Sequence, residues 1–197
     1  IGKPIIISTG MASVREIDEA VRTVRAAGCE QFVLLKCTST YPALPENSNV
    51  RTIPHMRELF GCEVGLSDHT MGVGAAVAAV AHGATVIEKH FTLDRSLPGP
   101  DHAASLEPHE LKAMVAAIRN IEKAMGNGVK KPSPSEIKNI PIARKSIVAK
   151  KPIKKGDLFT EENLTVKRPG TGISPMEWDA YIGKSANREY QMDDLIQ

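Results

Sequence analysis

The sequence predicts an α/β protein with parallel strands, followed by a small module built mostly of short β-strands. Three observations predict it. Two short apolar runs, Val64-Gly-Leu-Ser-Asp-His69 and Thr85-Val-Ile-Glu-Lys-His90, flank a small-residue segment, Gly72 to Gly83. That segment is long enough for about three helical turns, and a strand, helix, strand unit makes its two strands parallel. The same alternation of apolar run and helical period recurs along residues 1–125. From residue 126 the composition changes to Gly, Pro, Ser and Lys, and short strand and turn signals follow.

Residues 4–8, Pro-Ile-Ile-Ile-Ser, form a β-branched run of the kind buried in parallel sheets. Thr9, Gly10 and Met11 turn the chain, and Ser13 with Glu16 makes a capping box that starts a helix. Ile17, Ala20, Val21, Val24 and Ala27 fall on one face of it, and Gly28 ends it in the position that favours glycine. The second strand covers 31–38. A polar loop, 39–48, leads to a short helix over roughly 50–60, with Pro54 in its first turn and Gly61 closing it. The two histidine-ended strands and their connecting helix come next. The loop 94–101, rich in Pro and Gly, leads to a last helix for which Ser105 is the expected N-cap. Leu111, Met114, Val115, Ile118 and Ile121 supply its apolar stripe.

These are four βα units in about 125 residues, half of an eight-unit barrel of about 250 residues. An open doubly wound sheet fits the pattern as well. The barrel is favoured because the polar, reactive side chains cluster just after strands. Residues 126–145 are expected to be a linker. The final segment, 146–197, has strands at 146–149 and 164–166, with Trp178 and Tyr181 as its aromatic pair. A module this small is expected to have little core of its own and to pack on something else.

Composition excludes several classes of function. A formal net charge of +2 gives no strong pull toward nucleic acid or a membrane surface. No apolar run approaches the roughly 20 residues of a membrane span. Cys29, Cys37 and Cys62 form neither a zinc pattern nor a disulfide framework, so a reducing, cytoplasmic setting is expected. The chain opens on Ile1 and runs directly into a strand, which suggests a fragment.

The chemistry centres on His69 and His90. If their strands are neighbours, about 4.8 Å apart, the two imidazoles leave adjacent C-terminal ends and can share one divalent metal. In parallel α/β folds that edge carries the reactive groups. Asp68 and Glu88 each stand beside one histidine. Ser67 or Asp68 could orient His69, or simply end the strand. Asp101 closes a loop that could return to the same mouth. Ser8, at a strand-to-helix turn, and Ser39 and Tyr41, after the second strand, could face it too, although turn chemistry alone explains them. Lys36 could pair with a phosphate or extend to solvent. His55, His82, His102 and His109 are expected at the surface, and Arg168 is an ordinary surface arginine by pattern alone.

Taken together, Gly65-Leu-Ser-Asp-His-Thr70, Glu88-Lys-His-Phe-Thr92, Pro98-Gly-Pro-Asp101 and Lys36-Cys-Thr-Ser-Thr-Tyr-Pro42 resemble the sialic acid synthase family, which makes nine-carbon α-keto acids (nonulosonates). The segment with Ser146-Ile-Val-Ala149, Lys155-Gly-Asp157 and Lys167-Arg-Pro-Gly-Thr-Gly-Ile173 resembles the family's antifreeze-like (SAF) domain. The resemblance implies the second half of a TIM (β/α)8 barrel over 1–125, a linker over 126–145 and an SAF domain over 146–197.

It further implies condensation of phosphoenolpyruvate with an N-acylated amino sugar in its open-chain aldehyde form. C3 of phosphoenolpyruvate attacks the aldehyde, C2 then takes water, and the tetrahedral intermediate loses phosphate. A divalent metal, commonly manganese with magnesium or cobalt as alternatives, would be held by His69 and His90. His69, His90 and Asp101 form the implied catalytic group. Ser8, Ser39 and Ser67 match phosphoenolpyruvate contacts, and Ser39 stands where some relatives carry Asn. Tyr41 falls at the sugar mouth, and Arg168 would reach the sugar across a domain-swapped homodimer.

The family's early strands supply lysines and an acid that this sequence does not contain. The activity is therefore expected of a longer parent, and this chain alone is expected to be inactive. The sugar expected first is N-acetylmannosamine, giving N-acetylneuraminate, because the 98–101 loop looks like the sialic and legionaminic branches. The loop around Lys36 looks closer to pseudaminic acid synthases, so legionaminic and pseudaminic acid synthase are the alternatives. A non-catalytic half-barrel and SAF module that binds carbohydrate or a partner is the alternative of another class.

Overall fold

The computed structural model describes residues 2–197, which fall into two compact units divided between Gly128 and Val129. In the first unit, strands β1 (Ile5–Ser8), β2 (Phe32–Cys37), β3 (Glu63–Asp68) and β4 (Ile87–Lys89) lie side by side in chain order. All neighbours are parallel. The sheet is a curled half-barrel. Helices α1 (Val14–Ala26), α2 (Thr52–Phe60), α3 (Gly74–Ala81) and α4 (Pro108–Met125) follow the strands in turn.

Alternation along each strand sorts the side chains onto two faces. Phe32, Leu34, Val64 and Leu66 bury against Ile17 and Val21 of α1 and Ile53, Met56 and Phe60 of α2. This is the helix side, and it holds the core. Each such aliphatic or aromatic side chain contributes about 1.5–3 kcal/mol on full burial. The opposite face receives Ile6, Ser8, Leu35, Cys37, Gly65, Ser67 and Glu88, as the registers Ser8↔Leu35, Cys37↔Ser67 and Ser67↔Glu88 require. Gly65 has no side chain there, and Leu35 and Val86 close over it.

The helix ends follow local chemistry. Ser13 and Glu16 form both bonds of the capping box on α1, and Gly28 follows its C-cap at φ +80°. Gly61 ends α2 in the left-handed region. The expected cap of α4 is corrected: Glu107, not Ser105, caps it, closing a box with Glu110, while Pro108 takes the first helical position. Ser105 Oγ instead donates to the Asp101 carbonyl at 2.7 Å. Met114 is buried, with Leu111 and Ile118 beside it, but Val115 is 46% exposed and leaves the stripe.

In the second unit, β5 (Ser146–Ala149) pairs antiparallel with β6 (Leu164–Lys167). The expectation of little internal core is also corrected. Ile147, Ala149, Ile153, Phe159, Leu164, Ala186, Tyr190 and Ile196 form a closed cluster, and Trp178 and Tyr181 pack at its edge. Tyr190 is fully buried and its hydroxyl donates to Asn187 Oδ1 at 2.7 Å, so its polar end is satisfied. Within 126–145 the chain forms two single helical turns, α5 (Pro134–Ile137) and α6 (Ile140–Ala143). Ser133 caps the first through a box with Glu136. One more turn, α7, covers Trp178–Tyr181.

Candidate active site at the strand ends

Asp68 and Lys89 are the last residues of β3 and β4, and each is followed by a histidine. Because β3 and β4 are parallel neighbours, His69 and His90 leave the same sheet edge. Their ring centroids are 5.3 Å apart with planes at 83°. Tyr41, carried in by the loop after β2, completes a three-ring group. Its ring lies 4.1 Å from that of His69 and 5.3 Å from that of His90.

Backbone bonds hold these positions. The His69 carbonyl accepts from Ala43 N at 2.8 Å, which ties the Tyr41 loop to the end of β3. The His90 carbonyl accepts from Leu106 N at 2.9 Å, which ties down the long loop before α4. The His69 ring has a defined tautomer: Nδ1 lies 2.7 Å from the Thr38 carbonyl, so it carries the proton and donates. Nε2 is then the basic nitrogen. Ser67 Oγ stands 3.4 Å from it and donates to Glu88 Oε1 at 2.6 Å. Asp101 approaches the second histidine, with Oδ2 4.0 Å from His90 Nδ1.

The two carboxylates beside the histidines have different places. Glu88 shares the histidine face through Ser67. Asp68 points to the helix side, where Oδ1 accepts from Thr70 N and Oγ1 and Oδ2 pairs with Lys89 Nζ at 2.8 Å. Asp68 therefore does not orient the imidazole directly. Lys36 also stands on the helix side, buried, with Nζ donating to Thr38 Oγ1. Burial pushes its ammonium below the usual lysine range, opposed by the charges of Cys37 and Asp68.

Of the residues expected at the site, Tyr41, Ser67, His69, His90 and Asp101 come together. Ser8 ends β1 on the same face, and Ser39 packs against Gly10. Among the described residues, neither hydroxyl bonds to the histidine group. Arg168 belongs to the second unit, where it is exposed and Nε donates to the Ala143 carbonyl at 3.0 Å. His102, expected at the surface, is partly buried and bonds Thr92 Oγ1 at 2.7 Å. Glu88 is the site residue that sequence reasoning left without a role. The signal for it is its two-residue spacing from His90, which puts both on one strand face.

The donor types, two imidazoles and a carboxylate, are those that divalent ions take. His69 offers Nε2, with Ser67 Oγ 3.4 Å away, the His90 ring stands edge-on beside the first, and Asp101 adds a carboxylate near the second ring. Imidazole with carboxylate suits ions such as Mn²⁺, Co²⁺ and Zn²⁺. A tighter acid and histidine cluster exists at Glu107, His109 and Glu110. Its carboxylates are committed to the start of α4: Glu107 accepts from Arg95 N, and Glu110 accepts from Glu107 N and pairs with Arg95. That cluster is a helix cap.

Comparison with known proteins gives a consistent picture. Residues 1–130 match the model of the NeuB family, and residues 144–197 match that of the SAF domain. The chain is 52% identical to an N,N'-diacetyllegionaminic acid synthase of Campylobacter jejuni, over all of this chain and 60% of that protein. It is 39% identical to the human N-acetylneuraminate-9-phosphate synthase, over 99% of this chain and 55% of that one. Among solved structures, the spore coat polysaccharide biosynthesis protein SpsE of Bacillus subtilis aligns at 36% identity with a TM-score of 0.60. That alignment covers 99% of this chain and 60% of SpsE. The chain thus spans a little more than half the length of the relatives it matches. Among the described residues no helix is long and apolar enough to cross a membrane.

Proposed function

This chain belongs to the NeuB family, and from that premise we propose that it forms part of a nonulosonate synthase. That enzyme condenses phosphoenolpyruvate with the open-chain aldehyde of an N-acylated amino sugar. The observation that carries the reading is the group at the edge of β3 and β4: His69 and His90 with ring centroids at 5.3 Å, flanked by Tyr41 and Asp101.

In this reading His69, through the nitrogen turned away from the Thr38 carbonyl, and His90 would hold one divalent ion, taken as Mn²⁺. The ion, when bound, supplies Lewis-acid polarisation of the sugar aldehyde. The protein's own groups do the rest. Thr38, through its carbonyl, keeps the proton of His69 on Nδ1. Asp101 orients the His90 ring. The Tyr41 ring walls the mouth against which the sugar packs. Ser8, Ser39 and Ser67, at the ends of β1, β2 and β3, offer hydroxyls to the carboxylate and phosphate of phosphoenolpyruvate. C3 of phosphoenolpyruvate forms the new bond to the aldehyde carbon, whose oxygen takes a proton. Water adds at C2, and phosphate leaves with cleavage of the C2–O bond.

For the sugar, the Pro98–Asp101 loop favours N-acetylmannosamine or the legionaminic precursor. The higher identity to a legionaminic acid synthase than to the human enzyme favours the second, a doubly N-acetylated, deoxygenated sugar. Arg168 is assigned to the sugar's polar groups, offered by the second unit of a partner copy in a homodimer. A guanidinium suits that task because it donates several bonds in a fixed plane.

The test is an assay of the full-length protein with phosphoenolpyruvate, Mn²⁺ and, in turn, N-acetylmannosamine and the precursors of legionaminic and pseudaminic acid. Phosphate release and the mass of the keto acid are followed. The expected result is the highest kcat/KM with the legionaminic precursor. A preference for another of the sugars corrects the substrate alone. No consumption of phosphoenolpyruvate with any sugar overturns the synthase reading in favour of a binding module.

A further inference from the structure

The two strands that present the histidines are joined at their ends by side chains on both faces. The last two rungs of the β3–β4 ladder are Ser67↔Glu88 and Asp68↔Lys89. On the site face, Ser67 donates to Glu88 at 2.6 Å. On the helix side, Lys89 Nζ lies 2.8 Å from Asp68 Oδ2, with side-chain exposures of 4% and 1%. The network is closed around Thr70. Asp68 Oδ1 accepts from Thr70 N at 2.9 Å and from Oγ1 at 2.7 Å, and Lys89 Nζ donates to the Thr70 carbonyl at 2.5 Å. The next rung would be His69 beside His90.

A buried ion pair is a poor device for stability alone. Desolvating two charges cancels much of their attraction, and apolar residues of similar volume often serve equally well. What a pair of fixed charges adds is register. β4 is only three residues long, so few backbone bonds hold its alignment. A slip of one residue would turn every side chain to the other face and separate the histidines. A smaller twist at the strand end would change the angle between their rings.

We infer that Asp68 and Lys89 are positioning residues: their buried bond sets the separation and angle of His69 and His90, and so the affinity and geometry of the divalent site. The inference rests on the metal reading of those histidines and adds residues that never touch the ion. The ion pair lies on the face away from the site, so it acts only through the backbone it aligns.

The test uses the full-length protein and the metals alone. Mn²⁺ affinity is measured by calorimetry, the Co²⁺ absorption spectrum reports coordination geometry, and the thermal midpoint reports folding. In Asp68→Leu/Lys89→Met the expected result is a protein that still folds but with a lower midpoint, because Thr70 N and Oγ1 lose their acceptor. Mn²⁺ affinity falls by about tenfold or more, comparable to the loss of an outer-shell partner, and the Co²⁺ spectrum shifts. Asp68→Asn, which keeps the shape but removes the charge, is expected to weaken Mn²⁺ binding in the same direction and is the measure if the double variant does not fold. A His69→Ala control separates the two ideas. Mn²⁺ binding indifferent to His69→Ala overturns the metal reading and this inference with it. Binding that needs His69, yet keeps wild-type affinity and spectrum in the Asp68 and Lys89 variants, overturns this inference alone.

Discussion

Single residues decide which face of the sheet is chemical. The period of two along β3 sends Ser67 and His69 one way and Asp68 the other. Sequence reading placed both histidines correctly at neighbouring strand ends, because apolar runs ending in histidine are visible in one dimension. It grouped Asp68 with His69 because adjacency in sequence suggests adjacency in space. Alternation reverses that: the useful neighbour of His90 is Glu88, two residues back, bonded to Ser67. The same logic makes Gly65 a sensitive position. An added Cβ would meet the Val86 backbone carbonyl first and would stand 2.7 Å from Leu35 Cδ2 and 2.9 Å from Val86 Cβ, closer than packed atoms tolerate. Gly65→Ala is therefore expected to destabilise the first unit by about 1–3 kcal/mol, the usual cost of overpacking. Urea unfolding followed by circular dichroism checks this, and an unchanged midpoint would show that the layer of Leu35 and Val86 yields freely.

Elements were legible where their own ends carry the signal. Ser13 and Glu16 lie within one turn of each other, so α1 could be placed from local chemistry. Ser13→Ala is expected to cost about 1 kcal/mol, measurable as a lower thermal midpoint. The bonds from Ser13 hold the Glu16 carboxyl below its usual range. A lowered folded value means that the contribution is present above the unfolded pKa and fades as pH falls through the folded one. An NMR titration of Glu16 should show the low value and a partial rise in Ser13→Ala, which removes the hydroxyl bond to the carboxylate and keeps the backbone one. The start of α4 was misplaced because Ser105 is the better capping residue by type. The choice was made by tertiary partners: Arg95 anchors both Glu107 and Glu110, and the Ser105 hydroxyl is taken by Asp101. The short turns α5 and α6 were hidden in a stretch whose Pro and Ser content reads as linker, although Ser133 and Glu136 repeat the capping signature seen at α1.

At the scale of the molecule, four βα units predicted a half-barrel because each unit must bury its strand under its own helix. The core of the second unit was not legible. Ile147, Ile153, Phe159, Leu164, Tyr190 and Ile196 show no helical or strand period, and only the folded chain gathers them. With its core closed, that unit does not need another surface to bury Trp178 and Tyr181, so the case for a swapped dimer rests on Arg168. Mixing full-length Arg168→Ala chains with His69→Ala chains should restore about a quarter of wild-type activity, by counting sites in a randomly reassorted symmetric dimer. A mixture that stays inactive after demonstrated exchange places Arg168 elsewhere. The account as a whole stands on the paired histidines at the edge of β3 and β4. Its most direct test is the metal content of the full-length protein beside that of its His69→Ala/His90→Ala variant, purified with Mn²⁺ and dialysed. About one ion per chain in the wild type, absent from the folded variant, is the result expected of a two-histidine site. Equal metal content in the two proteins would contradict it.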